Sequence, residues 1–182
     1  MENILAQAKK VAEAAEVFSV SSEETPVQFE ANRLKHIQNK QSSIVALRII
    51  RKGRIGYSVT TNLDDLQGLV DAAVETARLG TLAKFELPNP TSCPQVYTYD
   101  PEVETVSLEE MINLGEEMIA IVRGYAPDIV CEAGVTKNII SSSIMNSSGN
   151  EASYRKSIFS LGIEGSLIHN TDMSKGSEAE IL

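Results

Sequence analysis

Cysteine and histidine are scarce in this chain, with two of each among 182 residues. Cys93 and Cys131 are too few and too far apart to suggest a disulfide framework or a zinc knuckle. His36 and His169 have no second histidine within helical reach. Neither fits the paired-imidazole pattern of a zinc peptidase helix, and both are expected at the surface. Long apolar runs are missing too. No stretch approaches the roughly 18 residues a membrane-spanning helix needs, so no membrane partner is expected. Met1-Glu2-Asn3 opens directly into an amphipathic stretch, without the basic start, apolar core and cleavage site of a signal peptide. A reduced, cytoplasmic compartment is expected. Positive charge is short as well: Lys and Arg total 16 against 25 Asp and Glu, a formal net charge of −9. Such a chain repels phosphates, and direct nucleic-acid binding is not expected. The densest basic stretch, Arg48, Arg51, Lys52 and Arg54, reads as a solvated hairpin end.

Catalytic patterns are also lacking. Ser141, Ser142 and Ser143 fall in a strand-like stretch and Ser147 and Ser148 in a turn, with no glycine-flanked nucleophile elbow. Cys131 alternates with apolar residues, as a buried structural thiol does, and Cys93 precedes Pro94 without an activating neighbour. Carboxylate pairs stand at Glu23-Glu24, Asp64-Asp65, Glu109-Glu110 and Glu116-Glu117. The last three pairs read as helix caps and solvated faces. Gly53-Arg54-Ile55-Gly56 is too short for a phosphate loop and sits where a hairpin needs glycine. From the residues alone, no catalytic, cofactor-binding or metal residue is assigned.

What is present is a soluble, patterned chain, 42% apolar and 23% charged. Ile4, Leu5, Ala8, Val11, Ala12 and Ala15 fit one face of a first helix. Strands follow: Val17 to Ser21, in which Phe18 and Val20 alternate with Val17 and Ser19, then Val27 to Ala31. Ile44 to Ile50 is apolar on both faces and is expected centrally in a sheet. Lys52-Gly53 marks a tight turn into a strand from Ile55 to Thr60. The hairpin spanning Leu34–Gly56 is therefore expected in the middle of the first sheet, with Leu47 and Ile49 buried. A second helix is expected from Leu63 to Leu79, capped by Asn62 and stopped by a left-handed Gly80. Pro88, Pro90, Pro94 and Pro101 make residues 81–106 an extended connection. A third helix opens at Ser107, which forms a capping-box spacing with Glu110, and ends near Gly124 and Pro127. Two strands, Ile129 to Val135 and Ile139 to Met145, precede the turn cluster Asn146–Asn150 and a long strand from Tyr154 to Ile168. Residues 171–182 carry little pattern. The expected class is α+β, helices packed on mainly antiparallel sheets in two small units. The expected division is 1–84, a proline-rich linker 85–106, and 107–182. The last unit is expected to be incomplete and to expose an apolar strip on its final sheet.

Several weak motifs in order carry a resemblance. Glu30-Ala31-Asn32-Arg33-Leu34-Lys35-His36-Ile37, then Leu47 to Ser58 with its Gly53-Arg54-Ile55-Gly56 return, then the helix Leu63 to Ala77, resemble the first domain of the TldD/PmbA metallopeptidase family. Ile144-Met145-Asn146-Ser147-Ser148-Gly149 is similar to the "V-x-N-S-x-G" turn of that family's second domain. The likeness runs from about Ala15 to Asp172; Ser43 departs from it where the family often has glycine. The family's His-Glu-x-x-x-His zinc helix lies C-terminal to everything here, so the resemblance implies zinc for the metal-bearing branch and no metal residue in this chain. Tyr99-Asp100-Pro101, Ser107 to Glu110 and Thr171-Asp172-Met173 look more like the PmbA (TldE-like) branch. The resemblance implies a scaffold or substrate-presenting role in a peptidase complex acting on unfolded peptides. Its implied partners are its own C-terminal domain, a TldD-like subunit or a second copy, and peptide substrates. It also implies an indirect effect on DNA gyrase. The alternative is a non-catalytic interaction module that works by β-strand addition; a nucleic-acid-associated regulator is disfavoured by charge.

Overall fold

The computed structural model describes residues 1–169 and 172–181, with side chains described for 1–167 and 176–180. In chain order the elements are α1 (Glu2–Ala8), β1 (Ala14–Glu30), β2 (Arg33–Ile37), β3 (Lys40–Arg51), β4 (Arg54–Thr60), α2 (Leu66–Leu79), α3 (Pro101–Thr105), α4 (Leu108–Tyr125), β5 (Val130–Asn146), β6 (Glu151–His169) and β7 (Asp172–Ile181). The strands pair in the order β4-β3-β1-β5-β6-β7, with β2 beside β1 off that path. The pairing is antiparallel, and the α+β class is the one the chain adopts.

By proximity the chain divides into two compact units that interleave in sequence: residues 1–21, 42–97 and 140–155 in the first, and 22–41, 98–139 and 156–182 in the second. This division differs from the consecutive segments 1–84 and 107–182. Strands β1, β5 and β6 each contribute residues to both units, and a boundary drawn along the sequence cannot register that.

In the first unit, α1 and α2 bury Ile4, Leu5, Ala8, Leu69, Val70, Ala73 and Ala77 in one core with Ala15, Val17, Val45, Leu47 and Ile49 of the strands. The inward set on β3 has period 2, as a strand with one face on helices requires. Ile44 is 43% exposed, so the apolar run is not buried on both faces. Lys52 and Gly53 both have positive φ, +51° and +67°, the backbone of a two-residue hairpin turn that pairs Arg51 with Arg54. That hairpin ends the strand order, with β4 outermost, instead of lying in the middle.

Other expectations for this unit need correction. Helix α1 stops at Ala8, and Ala15 belongs to β1. The helical spacing continued by coincidence, because an apolar residue in the following turn and one on the strand both face the same core. Within β1, Val17 is buried and Phe18 is 42% exposed, so the inward register is that of Ala15 and Val17. Helix α2 begins at Leu66, and Asp65 accepts its capping bond from the Gly68 amide at 2.8 Å. Asn62 instead accepts from the Asp64 amide in the preceding turn. Gly80 is extended (φ −67°, ψ 157°) and not left-handed.

In the second unit, α4 packs Met111 and Ile119 against Val27, Phe29, Cys131, Ala133, Val135 and Phe159. Strand β1 passes through Pro26 unbroken; proline cannot donate, but its carbonyl accepts from the Gln38 amide. The two strands expected over 129–145 are the single strand β5. The proline-rich stretch is not wholly extended: Pro101 opens α3, and the Lys137 ammonium donates to the Glu104 and Val106 carbonyls at its end, at 3.1 and 2.6 Å. The pattern-poor tail forms β7, pairing Ser160 to Ile181 and Gly165 to Gly176. Its described side chains, at 176–180, are exposed and are Gly, Ser, Glu, Ala and Glu. Thr171 lies outside the described residues.

The expected capping box of α4 is present. The Glu110 carboxylate accepts from the Ser107 amide at 2.7 Å, and the Ser107 hydroxyl oxygen accepts from the Glu110 amide at 3.2 Å. The bond from the Ser107 amide, then that from its hydroxyl, holds the Glu110 carboxyl below its ordinary value of 4.5. A lowered carboxyl stabilises the fold fully above that ordinary value, and the contribution is lost as pH falls through the lowered one. Thermal melts between about pH 6 and about pH 3 should therefore show a smaller acid-induced loss for Glu110→Gln than for the natural chain. Equal losses would show that the ionisation of Glu110 adds nothing to stability.

Candidate functional site

The residues of the quoted motifs are committed to backbone contacts. Asn32 sits at the β1–β2 turn with φ +66°, a conformation asparagine tolerates better than most residues. Its side-chain amide donates to the Ile129 carbonyl at 3.1 Å and its oxygen accepts from the Cys131 amide at 2.8 Å. In the hairpin return, Gly53 supplies the turn and Arg54 donates to the Gly80 carbonyl at 2.7 Å, anchoring the end of α2. Gly56 lets that helix approach: a Cβ there would lie 2.2 Å from the Ala73 carbonyl oxygen.

The Asn146–Gly149 turn works the same way. Asn146 is 3% exposed, and its side-chain oxygen accepts from the Ser148 and Asn150 amides at 2.9 and 3.0 Å. Its NH2 group donates to the Pro88 carbonyl at 2.8 Å, so part of the proline-rich stretch is fastened down. Ser147 exchanges two bonds with Ala15: its amide donates to the Ala15 carbonyl, and its hydroxyl oxygen accepts from the Ala15 amide at 3.0 Å. A buried amide bonded through both its oxygen and its nitrogen defines one geometry. It leaves no group over for chemistry.

The titratable candidates are dispersed. His36 lies on exposed β2, with Gln38 as its polar neighbour at 3.4 Å. His169 closes β6, and its side chain lies outside the described residues. Cys131 is buried, and burial pushes its thiol up, away from the reactive thiolate. Cys93 is exposed. Of the carboxylate pairs, Asp65 and Glu110 are caps. Glu30, Glu132, Glu164 and Glu178 line a shallow hollow of the second unit. Among the described residues no group of three or more His, Cys, Asp or Glu is placed to hold a metal ion, so this donor set does not fit a zinc centre. Among those residues, too, no helix is long and apolar enough to cross a membrane.

The first unit carries a second hollow, of about 370 Å³, at the hairpin tip and the end of α2. Arg51, Lys52, Arg54 and Arg78 line it, over Val74 and Ala77. Composition alone placed three of these cations at a hairpin end; Arg78 joins them only through the fold.

A family model described as PmbA/TldA metallopeptidase domain 1 matches residues 15–77, and one described as the PmbA/TldA metallopeptidase central domain matches residues 101–180. The chain belongs to the TldD/PmbA family. The solved structure of TldE from Thermococcus kodakarensis is similar over 100% of this chain and 42% of its own, with a TM-score of 0.87 and 14% identity. A protein from Thermotoga maritima described as a modulator of a DNA gyrase is similar over 99% of this chain and 42% of its own, with a TM-score of 0.80 and 15% identity. One from Bacteroides thetaiotaomicron with a like description covers 99% of this chain and 44% of its own, at 0.80 and 16%. At such identities the likeness is one of fold. No curated protein matches the chain. This TldD/PmbA chain spans about two fifths of the length of those solved relatives.

Proposed function

We propose that this TldD/PmbA chain is the scaffold and substrate-presenting part of a cytoplasmic zinc-metallopeptidase complex acting on unfolded peptides, with any effect on DNA gyrase indirect. The observation that carries this reading is the use made of the motif residues. Asn32, Arg54, Gly56, Asn146 and Ser147 each fix backbone geometry. The zinc and the general base come from a downstream domain or, on the PmbA-like lean, from a TldD-like partner or second subunit.

The test is metal analysis of untagged chain beside a peptide-digestion assay, with and without chelator. The chain alone is expected to hold no stoichiometric zinc and to cleave nothing, and cleavage is expected once a TldD-like partner is added. One tightly held zinc per chain, or chelator-sensitive cleavage that is lost in His36→Ala or His169→Ala, would overturn the scaffold reading.

One observation favours β-strand addition as a second reading. The outer edge of β4 is occupied, since the Ile55 amide donates to the Thr81 carbonyl and the Tyr57 amide to the Thr76 hydroxyl oxygen. Strand β7 ends the order on the other side, and with the exposed β2 it offers an edge to an added strand. Retention of an extended peptide by the chain alone, with no cleavage when a partner is added, would favour this reading over the first.

A further inference from the structure

We propose that the hairpin tip of β3 and β4 and the end of α2 form a docking site for a short peptide segment in which acidic residues are interleaved with apolar ones. The site does not depend on the peptidase reading. Two kinds of surface meet there. The first is cationic: Arg51, Lys52, Arg54 and Arg78 line one hollow in a chain whose net charge is −9. The carboxylates at hand are already engaged. Both oxygens of Glu13 accept from the turn, from the Lys52 amide at 2.6 Å and the Gly53 amide at 3.1 Å. Glu75 meets Arg78 at 2.9 Å, but both side chains are more than half exposed, so this pair yields readily to a competing carboxylate. Among the described residues, Arg51 and Lys52 form no ion pair.

The second surface is apolar. Val74 and Ala77 floor the hollow. Leu79, next to Arg78, is 94% exposed, and Leu82, bridged to Arg54, is 60% exposed. Cations whose chain neighbours are exposed leucines match a ligand in which carboxylates and apolar side chains are interleaved. Nucleic acid offers nothing to the leucines. An extended polyanion or an anionic membrane would also meet the remaining acidic surface, beyond the roughly 8 Å over which salt screens charge. A short segment confined to the hollow avoids that repulsion, and its affinity should fall with salt.

The experiment uses a fluorescein-labelled short peptide of alternating glutamate and leucine, followed by anisotropy on the whole chain at low and physiological salt. Binding is expected, weakened by salt, and weakened at least about tenfold by the double substitution Arg51→Glu with Arg78→Glu. An alternating lysine–leucine peptide, which the acidic remainder of the chain attracts, should lose no affinity in that double variant. Unchanged affinity of the glutamate–leucine peptide in the double variant would overturn the proposal. If the double variant proves unfolded by circular dichroism, Leu79→Ser carries the test, because a side chain this exposed adds little to folding. Its affinity should drop several-fold, and an affinity equal to that of the natural chain would overturn the proposal. Tighter binding of a DNA duplex or of phosphatidylserine vesicles than of the peptide would overturn it too.

Discussion

Truncating Ile49 to alanine is expected to destabilise the chain by roughly 2–5 kcal/mol, read as a lower urea midpoint with an unchanged slope. Ile49 is 0% exposed, on the inward face of β3, in the core that α1 and α2 cover. The substitution removes three carbons from a close-packed interior that relaxes only in part, so a cavity term adds to the lost transfer energy. Strand β3 has a neighbour on each side in the sheet order, which limits collapse around the gap. An outward apolar residue of the same strand gives the control. Ile44 is 43% exposed, and Ile44→Ala should cost well under half as much as Ile49→Ala. A loss below about half a kcal/mol at Ile49 would show that this strand does not organise the core.

The second large effect is a coupling between Phe29 and Gly115. Phe29 is 2% exposed, and a Cβ on Gly115 would lie 2.1 Å from its ring. The helix α4 therefore rests directly on the ring, with no room for a methyl group. Gly115→Ala gains about 1 kcal/mol of helix propensity, but the clash with a ring that is packed on all sides costs more, about 1–3 kcal/mol or above. Phe29→Ala alone should cost about 3–5 kcal/mol. With the ring gone the alanine at 115 has space, so the double variant should be more stable than the sum of the two losses, by about 1–3 kcal/mol. Additive losses in a full double-mutant cycle would show that the helix and the ring adjust independently.

The sites of these predictions were not equally legible. Ile49 stands in an alternating apolar run, and a period of two announces a buried face without any tertiary knowledge. Gly115 falls on the buried stripe of α4 with Met111 and Ile119, but nothing local says that a ring lies opposite. The capping box of α4 was readable in full, because Ser107 and Glu110 satisfy each other within one turn. The start of α2 was not. Asn62 and Asp65 are both competent caps, and the choice fell to Asp65 once the loop from β4 had used Asn62 in a turn. Strand β7 carries no strand signal, because Lys175, Gly176 and Ser177 interrupt the apolar parity of Met173, Ala179 and Ile181; it is held by its pairing with β6. The candidate surfaces divide in the same way. Three of the cations at the hairpin tip lie together in sequence, whereas Arg78 joins them through the packing of α2 on β4 and Leu82 through its bridge to Arg54.

By itself the sequence determined the α+β class, the hairpin turn at Lys52-Gly53, the buried face of β3, the cap of α4 and the family. Each of these rests on local chemistry or on a short-range period, which a chain carries in its order of residues. Tertiary structure alone decided that β1 and β5 run unbroken, that β4 lies outermost, that the proline-rich stretch is fastened by Asn146, and that the units interleave. These depend on hydrogen bonds and contacts between residues far apart in the chain. Which of several adequate partners a backbone group finds is settled by the closure of the whole sheet, and no local pattern records it.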